Sequence, residues 1–377
     1  MFKYVFKKNK MKVIMGAADL VGTIIFAPFS FIRKKLTVKK EPRNILVVRL
    51  DQIGDMIQAL PFFEALKKKY PQSVVHVVCV KDCAFLLGKN RNVDRLYSMT
   101  SSWFYSERKL KLKEYNELAK TLKLIGIDEA YDLRGDIRNL LLLKFCGAKK
   151  IKGYDCAGGG FLIDEKTTYD RNEHEINKNL KLLNVKAEKE VIIDFSKSVS
   201  DEKAAQTFIE ETGGHKLKNV IIHPFTRAKS KMWGIEKYTA LVEKLLKNDN
   251  IRIFIIGGKD DILHEKSFIW NNRVVNCIGK FGFGFTVELM RLSHVFIGND
   301  SGPQYFAAYS GLKTCVIYGN TVNYKRWQPM VKEGNLMPLS KPTDCGPCEL
   351  SLCNQKTHVC MDIISVDDVY HAVEKWL

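Results

Sequence analysis

The stretch Val295–Gln304 constrains the fold more than any other part of this 377-residue chain. It reads Val-Phe-Ile-Gly-Asn-Asp-Ser-Gly-Pro-Gln: a short apolar run, an abrupt polar turn, and then the helix-compatible run Gln304–Ser310. That order describes a buried parallel strand, a polar tip and the N-terminus of a helix. Ligands of open α/β sheets sit outside the carboxyl ends of such strands. Backbone N–H groups and the helix dipole there favour an anion such as a diphosphate. Asp300 has the wrong sign for phosphate, so it suits hydroxyls or a cation. The plain alternative is that Asp300 and Ser301 cap the helix.

The same grammar recurs along the chain. Asn44–Leu50 is an apolar run of the kind found in central parallel strands, and it ends in Arg49-Leu50-Asp51-Gln52-Ile53-Gly54-Asp55. Met56–Tyr70 then shows helical spacing until Pro71 stops it. Gly54 would let the backbone bend tightly, and Asp55 would face a cleft or cap the helix. A Gly-x-Gly-x-x-Gly dinucleotide fingerprint is absent, which disfavours a nucleotide-dependent oxidoreductase. Ser73–Val80 reads as the next strand, Leu110–Ile125 as an amphipathic helix, and Glu129–Leu133 as a strand leading into Arg134–Asn139. There Arg138 is placed to bind an anionic acceptor group, or to be a solvated surface arginine. Later, Val220–Pro224 leads into a basic loop containing Thr226, Lys229 and Lys231; Lys231 is a flexible point cation suited to phosphate, or, with Lys229, a solvated loop charge. Ile251–Ile256, Val274–Ile278 and Thr314–Tyr318 read as further strands, Ile262–Trp270 as a helix, and Phe281–Phe285 as a loop before the helix Thr286–Ser293. Ser200 is expected to cap a helix that Gly213 and Gly214 end. The spacing predicts an α/β chain divided into an arm at 1–40, a first Rossmann-like domain at 41–215, a second at 216–344, and a tail at 345–377.

The formal charge of +18 would suggest a nucleic-acid partner if it were spread evenly. It is not. Residues 1–40 hold ten Lys/Arg and one Asp, so half of the excess sits in about a tenth of the chain, and no nucleic-acid motif appears. Within that arm Val13–Ile32 is mostly apolar between basic flanks that include Lys3, Lys7, Lys8, Lys10 and Arg33–Lys35. Lys12, Gly16, Asp19 and Thr23 share one helical face, and Asp19 and Pro28 oppose a span. The pattern fits a helix lying in a membrane interface, apolar side down, although its length would just cross a bilayer, and a buried helix or a signal segment are the remaining readings. Six of the ten cysteines lie in apolar runs, as reduced core thiols do. Cys345, Cys348, Cys353 and Cys360 are clustered in the tail, where a structural zinc and reduced or locally paired thiols are both open.

Four segments in order carry a family resemblance: Ile45–Pro61 with Gly54-Asp55, Ile222–Trp233 with His223-Pro224 and Lys231-Met232-Trp233, Gly298–Gln304 with Asp300-Ser301-Gly302-Pro303, and Cys345-Gly346-Pro347-Cys348 to Cys360. From about residue 44 onward the chain resembles glycosyltransferase family nine, the bacterial lipopolysaccharide heptosyltransferases. The resemblance implies a GT-B fold, two Rossmann-like domains facing across a cleft, with the final helix packing back toward the first. It implies inverting transfer of heptose, or a related sugar, from an ADP-sugar to a lipid-linked core oligosaccharide, without metal or other cofactor. Asp55 matches the catalytic aspartate. Thr226, Lys231, Ser301 and Gly302 match donor contacts, and Asp300 matches the residue holding donor-sugar hydroxyls. Tyr305 stands where the family often has histidine. The basic arm then suits work at the cytoplasmic face of the inner membrane. Two other readings share the motifs: a transferase using another nucleotide-hexose, and a non-catalytic membrane-associated binding protein of the same fold.

Overall fold

The computed structural model describes residues 4, 9–36, 41–100, 112–195, 199–213 and 216–377, the side chains of 26–36 excepted. Expectations placed on Lys3, Lys7, Lys8, Gly214, the side chains of Arg33–Lys35 and the first two residues of the helix read at Leu110–Ile125 lie outside the described residues. The chain forms two compact units, Met1–Ala187 and Glu188–Leu377.

In the first unit six parallel strands, β1 (Asn44–Arg49), β2 (Val74–Val80), β3 (Arg95–Met99), β4 (Glu129–Asp132), β5 (Lys150–Tyr154) and β6 (Glu165–Thr167), lie in the order β3-β2-β1-β4-β5-β6. Ile45, Leu46, Val47 and Val48 of β1 are fully buried, as a strand covered on both faces requires. β1 pairs with β2 from Asn44↔Val74 and with β4 from Ile45↔Glu129. Chain direction reverses across the sheet between β1 and β4, so the loops after these strands meet at the switch point where ligands of such sheets bind. The helices are α1 (Asn9–Leu36), α2 (Ile53–Ile57), α3 (Leu60–Lys69), α4 (Ala84–Leu87), α5 (Leu112–Ile125), α6 (Ile137–Phe145) and α7 (Glu175–Lys181). Gly54 lies within α2 with ordinary helical backbone, so the tight bend expected of it is not needed.

Helix α1 confirms the helical reading of the arm but corrects which face meets what. Met15, Asp19 and Gly22 are turned into the unit, and the apolar side chains Val13, Ile14, Leu20, Val21, Ile24 and Ile25 are exposed. The polar side of the helix is therefore spent partly on the protein itself. Among the described residues no helix is long and apolar enough to cross a membrane.

The second unit repeats the winding. Strands β7 (Lys218–His223), β8 (Ile251–Gly257), β9 (Val274–Ile278), β10 (Val295–Asn299), β11 (Lys313–Ile317) and β12 (Leu336–Leu339) lie in the order β12-β11-β10-β7-β8-β9. The switch point falls between β7 and β10, where Gly298 pairs with His223. A Cβ on Gly298 would stand 3.0 Å from the His223 carbonyl oxygen, so the close approach requires glycine. The helices are α8 (Val199–Glu211), α9 (Ile235–Leu245), α10 (Phe283–Arg291), α11 (Pro303–Tyr309), α12 (Val359–Asp362) and α13 (Val366–Val373).

Several expectations change here. The division falls before α8 rather than near residue 215. Phe208 of α8 packs against Phe254, Phe281 and Phe285 at ring distances of 5.8, 5.0 and 5.6 Å, and Arg252 donates to the Ile209 carbonyl at 3.1 Å. Phe281–Phe285 is not a loose loop: α10 begins at Phe283, and the Phe281 and Phe285 rings stack at 3.9 Å. Val369 and Val373 of α13 lie in the core of this second unit beside Trp233, Tyr238 and Leu241. Ile262–Trp270 forms 3₁₀ turns over Lys259–Ser267 instead of an α-helix, and Ser200 sits inside α8 rather than before it.

Candidate active site

In the first unit the site is built around Arg49, the last residue of β1, whose side chain is only 2% exposed. A guanidinium taken out of water must be paired and hydrogen-bonded. Its Nη1 donates to the Leu133 carbonyl at 2.6 Å and approaches Asn179 Oδ1 at 3.5 Å. Its Nη2 donates to Glu175 Oε1 at 3.2 Å and lies 3.5 Å from Asp55 Oδ1. Its Nε lies 3.0 Å from Asp51 Oδ2. Asp51 also pairs with Arg134, which follows β4, and Glu175 pairs with the buried Lys178 at 2.5 Å. Three cations and three carboxylates thus share one buried cluster.

Asp55 is the most open carboxylate of the cluster, 21% exposed. It is not the cap of α2: Gln52 holds that position, and no side-chain cap bond is made there. Burial, reinforced by the nearby Asp51 carboxylate, pushes the Asp55 carboxyl up to about 7, against the pull of Arg49. The group is therefore poised to lose and regain a proton near neutral pH.

Arg138 is clasped by Asp136, the N-cap of α6. Its Nε donates to Asp136 Oδ1 at 2.7 Å and its Nη2 lies 2.5 Å from Oδ2. The arginine is half exposed and already carries a bidentate carboxylate partner, which its own element supplies.

In the second unit the residues expected at the donor site do come together. Lys231 Nζ is 2.6 Å from Asp300 Oδ2, with Asp300 only 7% exposed and Lys231 partly open. Gln304 Nε2 donates to Asp300 Oδ1 at 2.9 Å, and Tyr318 donates to Gln304 Oε1 at 2.5 Å, so the carboxylate is fixed from behind. Neither Asp300 nor Ser301 caps α11, which has no side-chain cap bond. Ser301 Oγ instead lies 3.2 Å from His223 Nδ1. Burial lowers His223 to about 4, so its imidazole is neutral at pH 7. Among the described residues no protein acceptor meets the backbone N–H of Ser301 or Gly302. Thr226 is half-buried in the same loop that carries Lys231.

That loop is held by residues the sequence did not single out. Asn299 accepts from the Trp233 backbone N–H at 3.2 Å and donates to the Pro224 carbonyl at 2.7 Å, stapling both ends of the loop to β10. The cysteine-rich tail braces its centre: the Ser230 N–H donates to the Ser351 carbonyl at 3.1 Å, and His358 Nε2 meets the Ser230 carbonyl at 2.9 Å. Among the described residues no group of histidine, cysteine and carboxylate side chains is arranged to hold a metal ion, and the four tail thiols are unbridged.

The two switch-point clusters define the class to which this chain belongs, glycosyltransferase family 9 (heptosyltransferase), whose family model matches residues 115–358. The chain is a glycosyltransferase. Lipopolysaccharide heptosyltransferase 3 of Escherichia coli strain K12 is 22% identical over 339 residues, covering 86% of this chain and 95% of that protein. The E. coli ADP-heptose lipopolysaccharide heptosyltransferase II structure superposes with a TM-score of 0.71 at 16% identity, over 88% of this chain and 98% of that one. E. coli heptosyltransferase WaaC solved with ADP-2-deoxy-2-fluoro heptose gives 0.62 at 15% identity, over 88% and 99%. These likenesses show the fold, two parallel six-stranded α/β sheets consistent with a GT-B type.

Because Asn299 satisfies a buried N–H and a carbonyl at once, Asn299→Ala leaves both without their partner. We expect it to destabilise the second unit by about 2–3 kcal/mol, read by denaturant unfolding. A loss below about 0.5 kcal/mol would show that the staple does not hold the loop.

Proposed function

We propose that this enzyme transfers heptose, with inversion, from ADP-heptose to a core oligosaccharide of a lipopolysaccharide. The observation that carries the reading is the partly open Asp55 carboxyl, held in α2 beside Arg49 at the end of β1 and pushed up to about 7 by burial. Support for the donor and acceptor classes comes from the relatives, which are lipopolysaccharide heptosyltransferases and include structures named for ADP-heptose or solved with its fluoro analogue.

In the proposed reaction Asp55 takes the proton of the acceptor hydroxyl as that oxygen bonds to the anomeric carbon. The bond from the anomeric carbon to the diphosphate oxygen breaks, and ADP leaves with the electron pair. Lys231 and the N–H groups of Ser301 and Gly302 stabilise the charge growing on the diphosphate, with Thr226 contributing from the same loop. Asp300, fixed by Gln304, holds donor-sugar hydroxyls. The Lys231 ammonium is shared with Asp300 before donor arrives, so it is presented already extended and partly desolvated. With this cation in place the transfer has no need of a metal ion. Arg138 is assigned to the acceptor, where its outer face meets an anionic group.

We also assign the exposed apolar face of α1 to the cytoplasmic surface of the inner membrane. Residues 1–40 carry a net +9, which complements anionic headgroups, and the exposed Leu20 and Ile24 supply apolar area.

Three measurements test the reading. With ADP-heptose and truncated lipopolysaccharide, Asp55→Ala is expected to cut turnover by about 10² or more with donor affinity nearly intact, whereas Lys231→Ala weakens donor use. Normal turnover in Asp55→Ala, or incorporation only from a nucleotide-hexose offered alongside, would contradict it. Removing the Glu175 charge takes away a group that raises the Asp55 pKa and leaves Arg49 less neutralised, so both effects favour ionised Asp55. The acid limb of kcat/KM, placed near pH 7 in the parent by the Asp55 value, is thus expected to move to lower pH in Glu175→Gln; an unmoved limb would separate the base from this cluster. Finally, replacing Leu20 and Ile24 together by Asp should weaken co-sedimentation with phosphatidylethanolamine–phosphatidylglycerol vesicles by about ten-fold or more. Unchanged co-sedimentation would remove the membrane from the account.

A further inference from the structure

Helix α1 is not joined to the first unit only by chain connection. Asp19 is buried on its inner face, and each carboxylate oxygen has a donor: Oδ1 takes the Gly159 backbone N–H at 2.7 Å, and Oδ2 takes the Tyr4 hydroxyl at 2.7 Å. The Tyr4 carbonyl in turn accepts from Arg171 at 3.2 Å. A buried carboxylate is costly unless it is met in this way, so its bonds exist only while the helix is seated. The seat is also sterically close. A Cβ on Gly22 would fall 2.4 Å from the Phe161 ring, and one on Gly158 would fall 2.2 Å from Met15 Cε.

The loop gripped by Asp19 leans on the acceptor side of the unit. A Cβ on Gly159 would meet Ile137 at 3.0 Å and Leu140 at 3.1 Å, both in α6. Asp136, the N-cap of α6 that clasps Arg138, forms a bridge with Ala157 in the same loop. One short segment therefore joins the inner face of α1 to the first turn of α6, while the outer face of α1 stays apolar and open.

We propose that Asp19 is an orientation latch: it holds the apolar face of α1 as a preformed docking surface for an anionic lipid bilayer, in fixed register with the acceptor side of the first unit. This rests on the membrane reading above and goes beyond it. A flexible leash would only raise the local concentration of enzyme at the membrane, whereas a latched helix also sets which way the unit carrying Asp55 faces the lipid-linked sugar.

Hydrogen exchange on the full chain tests the latch without needing substrate. Peptides covering residues 12–25 and 156–163 would be followed with and without phosphatidylethanolamine–phosphatidylglycerol vesicles, in the parent, Asp19→Ala and Asp19→Asn. In water the parent is expected to protect both segments, and Asp19→Ala to speed exchange of both by about ten-fold or more, since a charged buried contact is lost. Asp19→Asn, which keeps an acceptor for Gly159, should recover part of that protection. Vesicles should restore protection to 12–25 in Asp19→Ala but not to 156–163. Equal protection of both segments in the parent and Asp19→Ala would overturn the latch. Vesicle protection of a parent whose segments were unprotected in water would overturn the latch alone. Failure of vesicles to restore protection to 12–25 in Asp19→Ala would overturn the membrane reading, and the docking surface with it.

Discussion

A buried guanidinium at the end of a central strand sets the terms for the first unit. Arg49 cannot lie between β1 and α7 without partners, and the partners it finds fix three otherwise separate pieces of chain: the turn after β1, the loop after β4, and helix α7. Glu175 and Asn179 face it from α7, and Asn179 donates onward to the Gln58 carbonyl at 3.0 Å. Asp55 is the one carboxylate of this group left partly open, and its raised pKa follows from sharing a small dry volume with Asp51 and Glu175. Fold and reactivity are thus one arrangement: the charges that tie the switch point together also tune its exposed acid.

The second unit solves a different electrostatic problem with the same topology. A diphosphate site needs positive charge, yet a sugar site beside it needs a hydroxyl acceptor. In the proposed reaction Lys231 and Asp300 would meet both needs, and their mutual ion pair keeps either from being stranded in the absence of ligand. The neutral His223 beside Ser301 adds a polar group without another charge. The tail explains itself through this loop. Its residues brace Ser230, one position before Lys231, and Trp233 Nε1 donates to the Ile364 carbonyl at 2.9 Å. Support of the Lys231 loop is the structural work visible in residues 350–364.

Much of this was legible from residue order. Central strands read clearly because their apolar runs are uninterrupted and end in polar turns, as at Val295–Asn299. The pairing of Lys231 with Asp300 was foreshadowed by motif, although their contact was not. The edge strands β6 and β12 were invisible, being short and polar or proline-containing. Arg49 could have been found: a charge inside the run Ile45–Leu50 must be paired if that run is buried. Glu175, Asn179, Gln304 and Tyr318 could not, because their partners are distant in sequence and their spacing is that of ordinary helix and strand. The arm shows the limit best. Helical periodicity placed Asp19 on a polar face, but only its hydrogen bond to Gly159, 140 positions away, reveals that the face is docked.

The central claim is that Asp55 ionises near neutrality because of the cluster that surrounds it. Carbon-13 NMR of protein labelled at the aspartate carboxyl carbons, with the Asp55 signal assigned by its loss in Asp55→Asn, reads that ionisation directly. The account predicts a midpoint far above the ordinary aspartate value, close to 7. A midpoint at about 4, where an unperturbed aspartate titrates, would contradict it.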